Sequence, residues 1–275
     1  MDIGIAPSYF TRRIEGEEPL SLTEAIELVV RHGFQALFLP SLMTRERAEA
    51  IRDHLSNTDA YAHQTHLPYY RYTRDVDYSE VAKKMLECAE VSRILGAQVL
   101  VAHIDEFDFK AEDYSPARAM AFNRRLFDPV VNFATKHGMR VAFENVFLDM
   151  SLPRFGSDTD ELLAFTDSFS SDTVGICWDF GHAKMQYPDT YVNEFDKAAD
   201  RMICTHLHDN YYGKDLHSIP FLGDTDFGAL MKIYRQKAPS VPLCLELVYG
   251  KLPRVLHEDY AALLSKTCRL LAEGL

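Results

Sequence analysis

The sequence predicts an α/β fold of the (β/α)8 TIM-barrel class, formed as one domain over residues 1–275. Short β-rich runs alternate with longer helical patterns along the whole chain, and each run tends to end on polar residues before a loop. A repeated strand–helix order requires parallel strands joined by right-handed crossovers, and the barrel is its closed form. With 47% hydrophobic and 25% charged residues, the chain can bury one large core.

The strands are predicted at eight runs: Ile3–Ala6, Ala36–Leu39, Ala60–Leu67, Gln98–Ile104, Arg140–Val146, Val174–Asp179, Met202–His208 and Pro242–Val248. A doubly wound open sheet is the alternative arrangement of the same elements. That fold usually carries a GxGxxG phosphate loop after its first strand, whereas this chain has only GIAPS there. The barrel is therefore the favoured prediction.

The helices are predicted between these strands, at Leu22–His32, Thr44–Leu55, Ser79–Leu95, Pro116–Lys136, Thr159–Phe169, Tyr191–Asp200, Phe227–Gln236 and Pro253–Ala272. Ser21 and Glu24 form the pattern of a capping box, in which each side chain satisfies a free backbone N–H of the other residue. Gly33, Gly96 and Gly138 follow predicted helix ends, where a left-handed residue closes the last turn.

Charge and hydropathy exclude several classes of function. A net charge of −12 argues against sequence-independent nucleic-acid binding, because such binding depends on lysine and arginine. No window resembles a membrane span, and the N-terminus lacks the pattern of a signal sequence, so we expect a cytoplasmic protein without a membrane partner. The sequence leaves the oligomeric state open, with a homo-oligomer as one alternative. The five cysteines lack CxxC spacing and are expected to be free thiols: Cys88, Cys177, Cys204, Cys244 and Cys268.

Acidic residues and histidines gather at the ends of the predicted strands. They are His66, His103, Glu144, Asp179 with the following His182, His206 and Glu246. The carboxyl ends of barrel strands meet at one mouth, which is where barrel enzymes carry their reactive groups. Each residue alone has an ordinary structural explanation, as a turn residue or a hydrogen-bonded histidine. Their joint occurrence favours a functional site.

Strand alternation provides a test, because successive side chains point to opposite faces of a strand. If the four strand-end residues Glu144, Asp179, His206 and Glu246 point inward, the residues two positions earlier do so as well. Those residues are all small: Ala142, Cys177, Cys204 and Cys244. The same register places Trp178 and Ile203 outward, against the helices. The cysteines are therefore predicted to pack the core and not to bind a metal.

Three carboxylates and one imidazole directed at one point predict a divalent cation, because like charges at close range are costly without one. This oxygen-rich set favours Mn²⁺, Mg²⁺ or Co²⁺, and Zn²⁺ and Fe²⁺ remain compatible with the same ligands.

The segments AFEN, CWDFGHA, THLHDN and LELV match, in order and spacing, the metal motifs of the xylose-isomerase-like barrels. The sequence therefore resembles, over nearly its whole length, the superfamily that contains sugar phosphate isomerases and epimerases together with the endonuclease IV nucleases. The resemblance implies that Glu144, Asp179, His206 and Glu246 hold one metal, and that the two glutamates act as acid and base. It favours His206 as the ligand, three residues before Asp209, with His208 lining the pocket.

The segment DLHSIPFLGDTDF extends the resemblance through Asp215 and His217, followed by a glycine turn. With His66, His103 and His182, these residues are predicted to bind substrate or a second metal. They also fill the positions that hold three zinc ions in endonuclease IV, so a nuclease stays an alternative. Against it, the connection LPSLMTRER is short, and Phe221 stands where the turn usually has a second glycine.

The leading prediction is therefore a divalent-metal-dependent isomerase or epimerase of a sugar, polyol or keto-sugar, acting by proton transfer through a metal-stabilised enediolate. Glu144 and Glu246 are its predicted acid and base. Tyr69 and Tyr70 are candidates for stacking on a sugar face. Three alternatives remain open: a zinc phosphodiesterase, a lyase or dehydratase that shares the enolate chemistry, and a sugar-binding barrel without catalysis.

Overall fold

Eight parallel strands form one sheet that curls into a nearly closed barrel with helices between the strands. The structure, a computed structural model, describes residues 1–68, 77–104, 114–148, 154–248 and 250–274. The sheet strands are β1 (Ile3–Ile5), β2 (Ala36–Pro40), β3 (Tyr61–His66), β4 (Val99–Ala102), β5 (Arg140–Glu144), β6 (Val174–Asp179), β7 (Met202–His206) and β10 (Leu243–Leu245). The (β/α)8 prediction is confirmed, and each predicted run contains a strand.

The barrel closes between β7 and β10, where the first and last strands of the sheet order meet. Leu207 N–H donates to Cys244 O at 2.8 Å, and Glu246 N–H donates to Leu207 O at 3.2 Å. These bonds bring the end of β7 beside the end of β10. Closure therefore places His206 and Glu246 at the same side of the mouth.

The helices are α1 (Leu22–Arg31), α2 (Arg45–Leu55), α3 (Tyr78–Leu95), α4 (Pro116–Lys136), α5 (Thr159–Asp167), α6 (Phe180–Gln186), α7 (Tyr191–Ala198), α8 (Phe227–Lys237) and α9 (His257–Glu273). The capping box of Ser21 and Glu24 is present. Helix α6 was not predicted, because its glycine suggested a turn. Asp179 caps it by accepting a hydrogen bond from His182 N–H at 2.6 Å. None of the described helices is both long enough and apolar enough to cross a membrane.

A short antiparallel hairpin follows β7, in a segment for which no strand was predicted. It consists of β8 (Asp209–Tyr211) and β9 (Lys214–Ser218). Its second strand carries Asp215 and His217 over the barrel mouth.

The strands separate two groups of buried side chains, as strand alternation predicts: an outer core against the helices and an inner cluster inside the barrel. Trp178 is buried on the outer side and packs against Phe195 of α7, with ring centroids 5.6 Å apart. A separate inner cluster contains Val99, Val101, Ala142, Cys177, Ile203 and Cys204. The five cysteines are buried and free, as expected for residues that pack the core. Cys177 also lies close enough to Glu144 and His206 for the three to share a metal ion.

The predicted outward position of Ile203 is wrong. The pairing of β6 with β7 moves from Ile176–Met202 to Cys177–Cys204, which leaves Ile203 as an extra residue in β7. A bulge of this kind breaks strict alternation, so Ile203 and Cys204 both belong to the inner cluster.

Candidate metal centre and cavity

Four side chains from four strand ends meet at the barrel mouth. Glu144, Asp179 and His206 are the last residues of β5, β6 and β7, and Glu246 directly follows β10. One ligand atom of each lies within 4.8 Å of one atom of every other member. We call these residues the central donor set. The structure thus brings together the four residues for which the sequence predicted one metal.

The contacts of His206 show that the central set is suited to a shared cation. Its Nδ1 lies 3.1 Å from Glu144 Oε2 and 3.2 Å from Glu246 Oε2. Both ring nitrogens are nevertheless buried without a hydrogen bond, because the angles are unsuitable. Neighbouring ligands of an octahedral ion with bonds of about 2.1 Å are separated by about 3.0 Å. An imidazole offers one nitrogen to one ion, so the spacing and the unsatisfied Nδ1 together fit a bound divalent ion.

Electrostatics favour the charged forms of Glu144 and His206. Burial works to raise the pKa of Glu144, but the His206 and His103 imidazoles outweigh it and hold the pKa well below its usual range. Burial works to lower the pKa of His206, but Glu144 and Glu246 raise it well above normal. The carboxylates are therefore ready to bind a cation, which would have to displace the proton on His206.

Asp179 is fixed by two buried neighbours. Asn145 Nδ2–H donates to Asp179 O at 2.9 Å, and Asp179 N–H donates to Asn145 Oδ1 at 2.7 Å. His208 Nε2 lies 3.0 Å from Asp179 Oδ1. The sequence predicted no role for Asn145, although its position directly after Glu144 in AFEN was a usable signal.

His208 was predicted to line the pocket, but it is completely buried behind His217. The two rings stack with centroids 3.9 Å apart. On its other side, an added Cβ at Gly181 would lie 1.9 Å from His208 Cε1. Gly181 thus provides the space that the imidazole occupies.

A second donor set lies beside the central one and consists of His182, His208, Asp215 and His217. Asp215 Oδ2 lies 3.3 Å from His217 Nε2 and 3.8 Å from His182 Nε2. Burial works to lower the pKa of His217, but Asp215 outweighs it and raises the pKa to about 9. His217 also has a φ of 45°, which is unusual outside glycine and typical of functional positions.

A third donor set consists of Glu144 together with His66 and His103. His66 Nε2 and His103 Nε2 each lie 3.3 Å from Glu144 Oε2. His66 Nδ1 lies 2.6 Å from Leu67 O, which orients the ring. Since Glu144 is shared with the central set, the two sets are adjacent.

Asp209 holds the loop that follows the hairpin. Its carboxylate accepts hydrogen bonds from the backbone N–H groups of Phe221 at 3.0 Å, Gly223 at 2.8 Å and Thr225 at 3.3 Å. Phe221 has a φ of 77°. The residue that departs from the family pattern thus retains the left-handed backbone that favours glycine.

A cavity of about 230 Å³ opens above the central set. It is lined by Phe38, His66, His103, Glu144, Arg154, His182, Asp215, His217 and Glu246. The sequence predicted no role for Phe38 or Arg154. Phe38 lies one residue before the end of the predicted strand Ala36–Leu39, so its strand position was a usable signal. Arg154 lies in a loop and gave no such signal. Tyr69 and Tyr70 lie outside the described residues.

Comparison with known proteins agrees with this architecture. A family model described as a xylose isomerase-like TIM barrel matches residues 24–267. The uncharacterized protein y4fM of Sinorhizobium fredii is 28% identical over 160 residues, which cover 57% of this chain and 49% of that protein. The match thus spans about half the length of that relative. The uncharacterized protein MJ1311 of Methanocaldococcus jannaschii is 24% identical over 211 residues, covering 72% and 70% of the two chains.

Several solved structures share the fold. D-psicose 3-epimerase, solved in the presence of D-fructose, has a TM-score of 0.77 at 12% identity, and the whole of both chains is covered. The 3-keto-D-glucoside 4-epimerase of E. coli has a TM-score of 0.72 at 16% identity, with 96% and 100% covered. The probable 3-DHS dehydratase of Bacillus anthracis has a TM-score of 0.72 at 12% identity, with 98% of each chain covered. At these identities the likeness concerns the fold.

Proposed function

The chain belongs to the xylose isomerase-like TIM barrel family, and from this premise we propose that it is a metal-dependent isomerase or epimerase of a small sugar-like molecule. The observation that carries the proposal is the central donor set, in which the buried Nδ1 of His206 lies 3.1 Å from a Glu144 oxygen and 3.2 Å from a Glu246 oxygen without a hydrogen bond. Epimerases among the structural neighbours are consistent with it.

Glu144, Asp179, His206 and Glu246 would hold the divalent ion. When bound, such an ion polarises a carbonyl and stabilises negative charge on its oxygen. The remaining chemistry is proton transfer at the neighbouring carbon, for which a carboxylate must reach the substrate.

The two glutamates differ in access. The Glu144 side chain is 2% exposed and lies among imidazoles, whereas the Glu246 side chain is 25% exposed at the cavity wall. We assign Glu246 to direct proton transfer with the substrate. Glu144 would serve as the second acid or base, on the opposite side of the reacting carbon. His182 and His217, on the same wall, would orient substrate hydroxyls.

The test is incorporation of solvent deuterium into a panel of ketoses, inososes and keto acids by Mn²⁺-loaded and Co²⁺-loaded protein, followed by NMR. We expect exchange into at least one compound, and a loss of about 10²–10⁴-fold in Glu246→Gln. Glu80→Gln, which changes a carboxylate that is 69% exposed on α3, should exchange at the wild-type rate. Failure of every compound to exchange would refute the proposal.

A zinc phosphodiesterase is the second candidate, and the donor sets on both sides of the central one favour it. Together they could hold further ions next to the first, as multinuclear hydrolysis requires. The net charge of −12 and the cavity of about 230 Å³ argue against a nucleic-acid substrate. Three zinc ions per chain, together with cleavage of abasic DNA, would establish this candidate in place of the isomerase.

A further inference from the structure

We propose that Cys177 supplies a sulfur ligand beside Glu144 and His206, so that the metal centre takes a thiophilic divalent ion such as Zn²⁺ or Co²⁺ in preference to Mg²⁺ or Mn²⁺. The inference rests on the proposed function, which places a divalent ion at this centre. It adds the class of ion, which the oxygen and nitrogen donors alone leave open. Core packing was the only role that the sequence predicted for this cysteine.

Three buried cysteines stand two residues before a member of the central donor set. They are Cys177 before Asp179, Cys204 before His206 and Cys244 before Glu246. Among the residues that the structure describes, Cys177 is the one cysteine in a group of donors whose ligand atoms all lie within 4.8 Å of one another, and its partners there are Glu144 and His206. Equivalent positions in the sequence therefore give different distances to the other donors.

The pairing of the strands explains why Cys177 is close. Glu144, the last residue of β5, is the register partner of Cys177 and not of Asp179. Paired residues of neighbouring strands point to the same side of the sheet, and Cys177 belongs to the inner cluster. The thiol and the Glu144 carboxylate therefore enter the barrel at the same level, from adjacent strands. Cys244, by contrast, is paired with Gly4, which has no side chain that could donate.

His206 provides an independent observation that points to an ion. It is completely buried, and neither ring nitrogen has a hydrogen-bond partner among the described residues. Burial of a polar atom without a partner is costly, and coordination removes that cost for the nitrogen that binds the ion. The ligand atoms of a tetrahedral zinc ion with bonds of about 2.0–2.3 Å are about 3.3–3.6 Å apart. The 4.8 Å limit that joins His206 to Cys177 and Glu144 includes this separation.

A sulfur ligand changes which ions the centre prefers. Thiolate is a soft ligand that selects ions such as Zn²⁺, whereas carboxylates and water suit Mg²⁺ and Mn²⁺. The thiolate, and not the thiol, is the ligand. Metal binding therefore breaks the Cys177 S–H bond, forms a sulfur–metal bond and releases one proton to solvent, without oxidation or reduction.

This position of the sulfur leaves the substrate side of the centre open. Glu144 and Glu246 line the cavity, whereas Cys177 is completely buried and belongs to the inner cluster. The thiol thus belongs to the barrel interior. Substrate oxygens can still bind the ion from the cavity, as the proposed function requires.

Cobalt spectroscopy tests the sulfur ligand independently of activity. A thiolate bound to Co²⁺ gives an intense charge-transfer band in the near ultraviolet, which oxygen and nitrogen ligands do not give. We expect this band when metal-free wild type with reduced cysteines is titrated with Co²⁺ to saturation under argon. Cys177→Ala should bind Co²⁺ without the band.

Metal preference gives a second measurement, by competition of Co²⁺ and of Mn²⁺ with a chelating dye. Loss of an outer partner of a metal ligand already costs about 10–100-fold in affinity. Since Cys177→Ala removes a ligand that favours Co²⁺, we expect the preference for Co²⁺ over Mn²⁺ to fall by about tenfold or more.

Cys244→Ala is the matched control, because it also removes a completely buried thiol two residues before a member of the central donor set. It should keep both the band and the wild-type metal preference. A wild type without the band at saturation overturns the inference, and so does a band of equal strength in Cys177→Ala. The wild-type spectrum decides the first point even if the variants fail to fold.

Deuterium exchange separates this inference from the proposed function. Cobalt binding without the band, together with exchange into a ketose, would leave the isomerase standing and remove the sulfur ligand. A band that depends on Cys177, without exchange into any compound of the panel, would leave the sulfur ligand standing and count against the isomerase.

Discussion

His208 Nε2 is hydrogen-bonded to Asp179 Oδ2 at 3.1 Å, and both side chains are completely buried. A carboxylate only accepts hydrogen bonds, so the imidazole N–H donates and fixes the direction of the oxygens. Since Asp179 belongs to the central donor set, His208 is a positioning residue for the metal centre.

We expect His208→Phe, which keeps a ring against His217 but removes the donor, to weaken Mn²⁺ binding about 10–100-fold. Competition with a chelating dye measures the affinity. His137→Phe, at an exposed position at the end of α4, should bind Mn²⁺ like the wild type. Unchanged affinity in a folded His208→Phe would show that Asp179 is oriented without it.

Gly181→Ala tests the contact between His208 and Asp179 by adding a methyl group where the His208 ring lies. Alanine normally stabilises a helix relative to glycine by about 0.5–1 kcal/mol. Here the added Cβ would lie 1.9 Å from His208 Cε1. We therefore expect destabilisation of about 1–3 kcal/mol in urea unfolding, together with weaker metal binding. Gly228→Ala in α8, whose nearest neighbour would be 3.3 Å away, is the matched control and should cost far less.

Metal binding at the second donor set should release protons. In the metal-free protein the pKa of His217 is about 9, because Asp215 outweighs the effect of burial. His217 is then protonated at neutral pH, and only its neutral imidazole can coordinate. Apparent zinc affinity should therefore rise with pH and level off above about 9. Zinc titrations in buffers of different ionisation enthalpy should show about one proton fewer released in His217→Gln; an equal release would contradict the assignment.

Asp209→Asn should destabilise the loop that follows the hairpin. The carboxylate accepts three backbone N–H groups of that loop, at 3.0, 2.8 and 3.3 Å. An amide offers one acceptor and directs a donor at the remaining N–H groups, so we expect a loss of about 3 kcal/mol. Urea unfolding of the metal-free protein measures it. Asp224→Asn, at a side chain that is 63% exposed, should change stability little.

The sequence by itself determined the strands and the inward direction of the central donor set. Both depend on local regularities: the alternation of side chains along a strand, and polar residues where a strand ends. Because the four strand ends converge in any closed barrel, Glu144, Asp179, His206 and Glu246 could be grouped before their distances were known.

Only the tertiary structure decided three other features. The extra residue in β7 that turns Ile203 inward depends on pairing with β6. The burial of His208 depends on the hairpin that places His217 over it and on the space at Gly181. Arg154 lines the cavity although it is ten residues beyond the end of β5 in the chain. Each of these features results from contacts between segments that are distant in the chain. Local periodicity and the residue types at strand ends carry no information about such contacts.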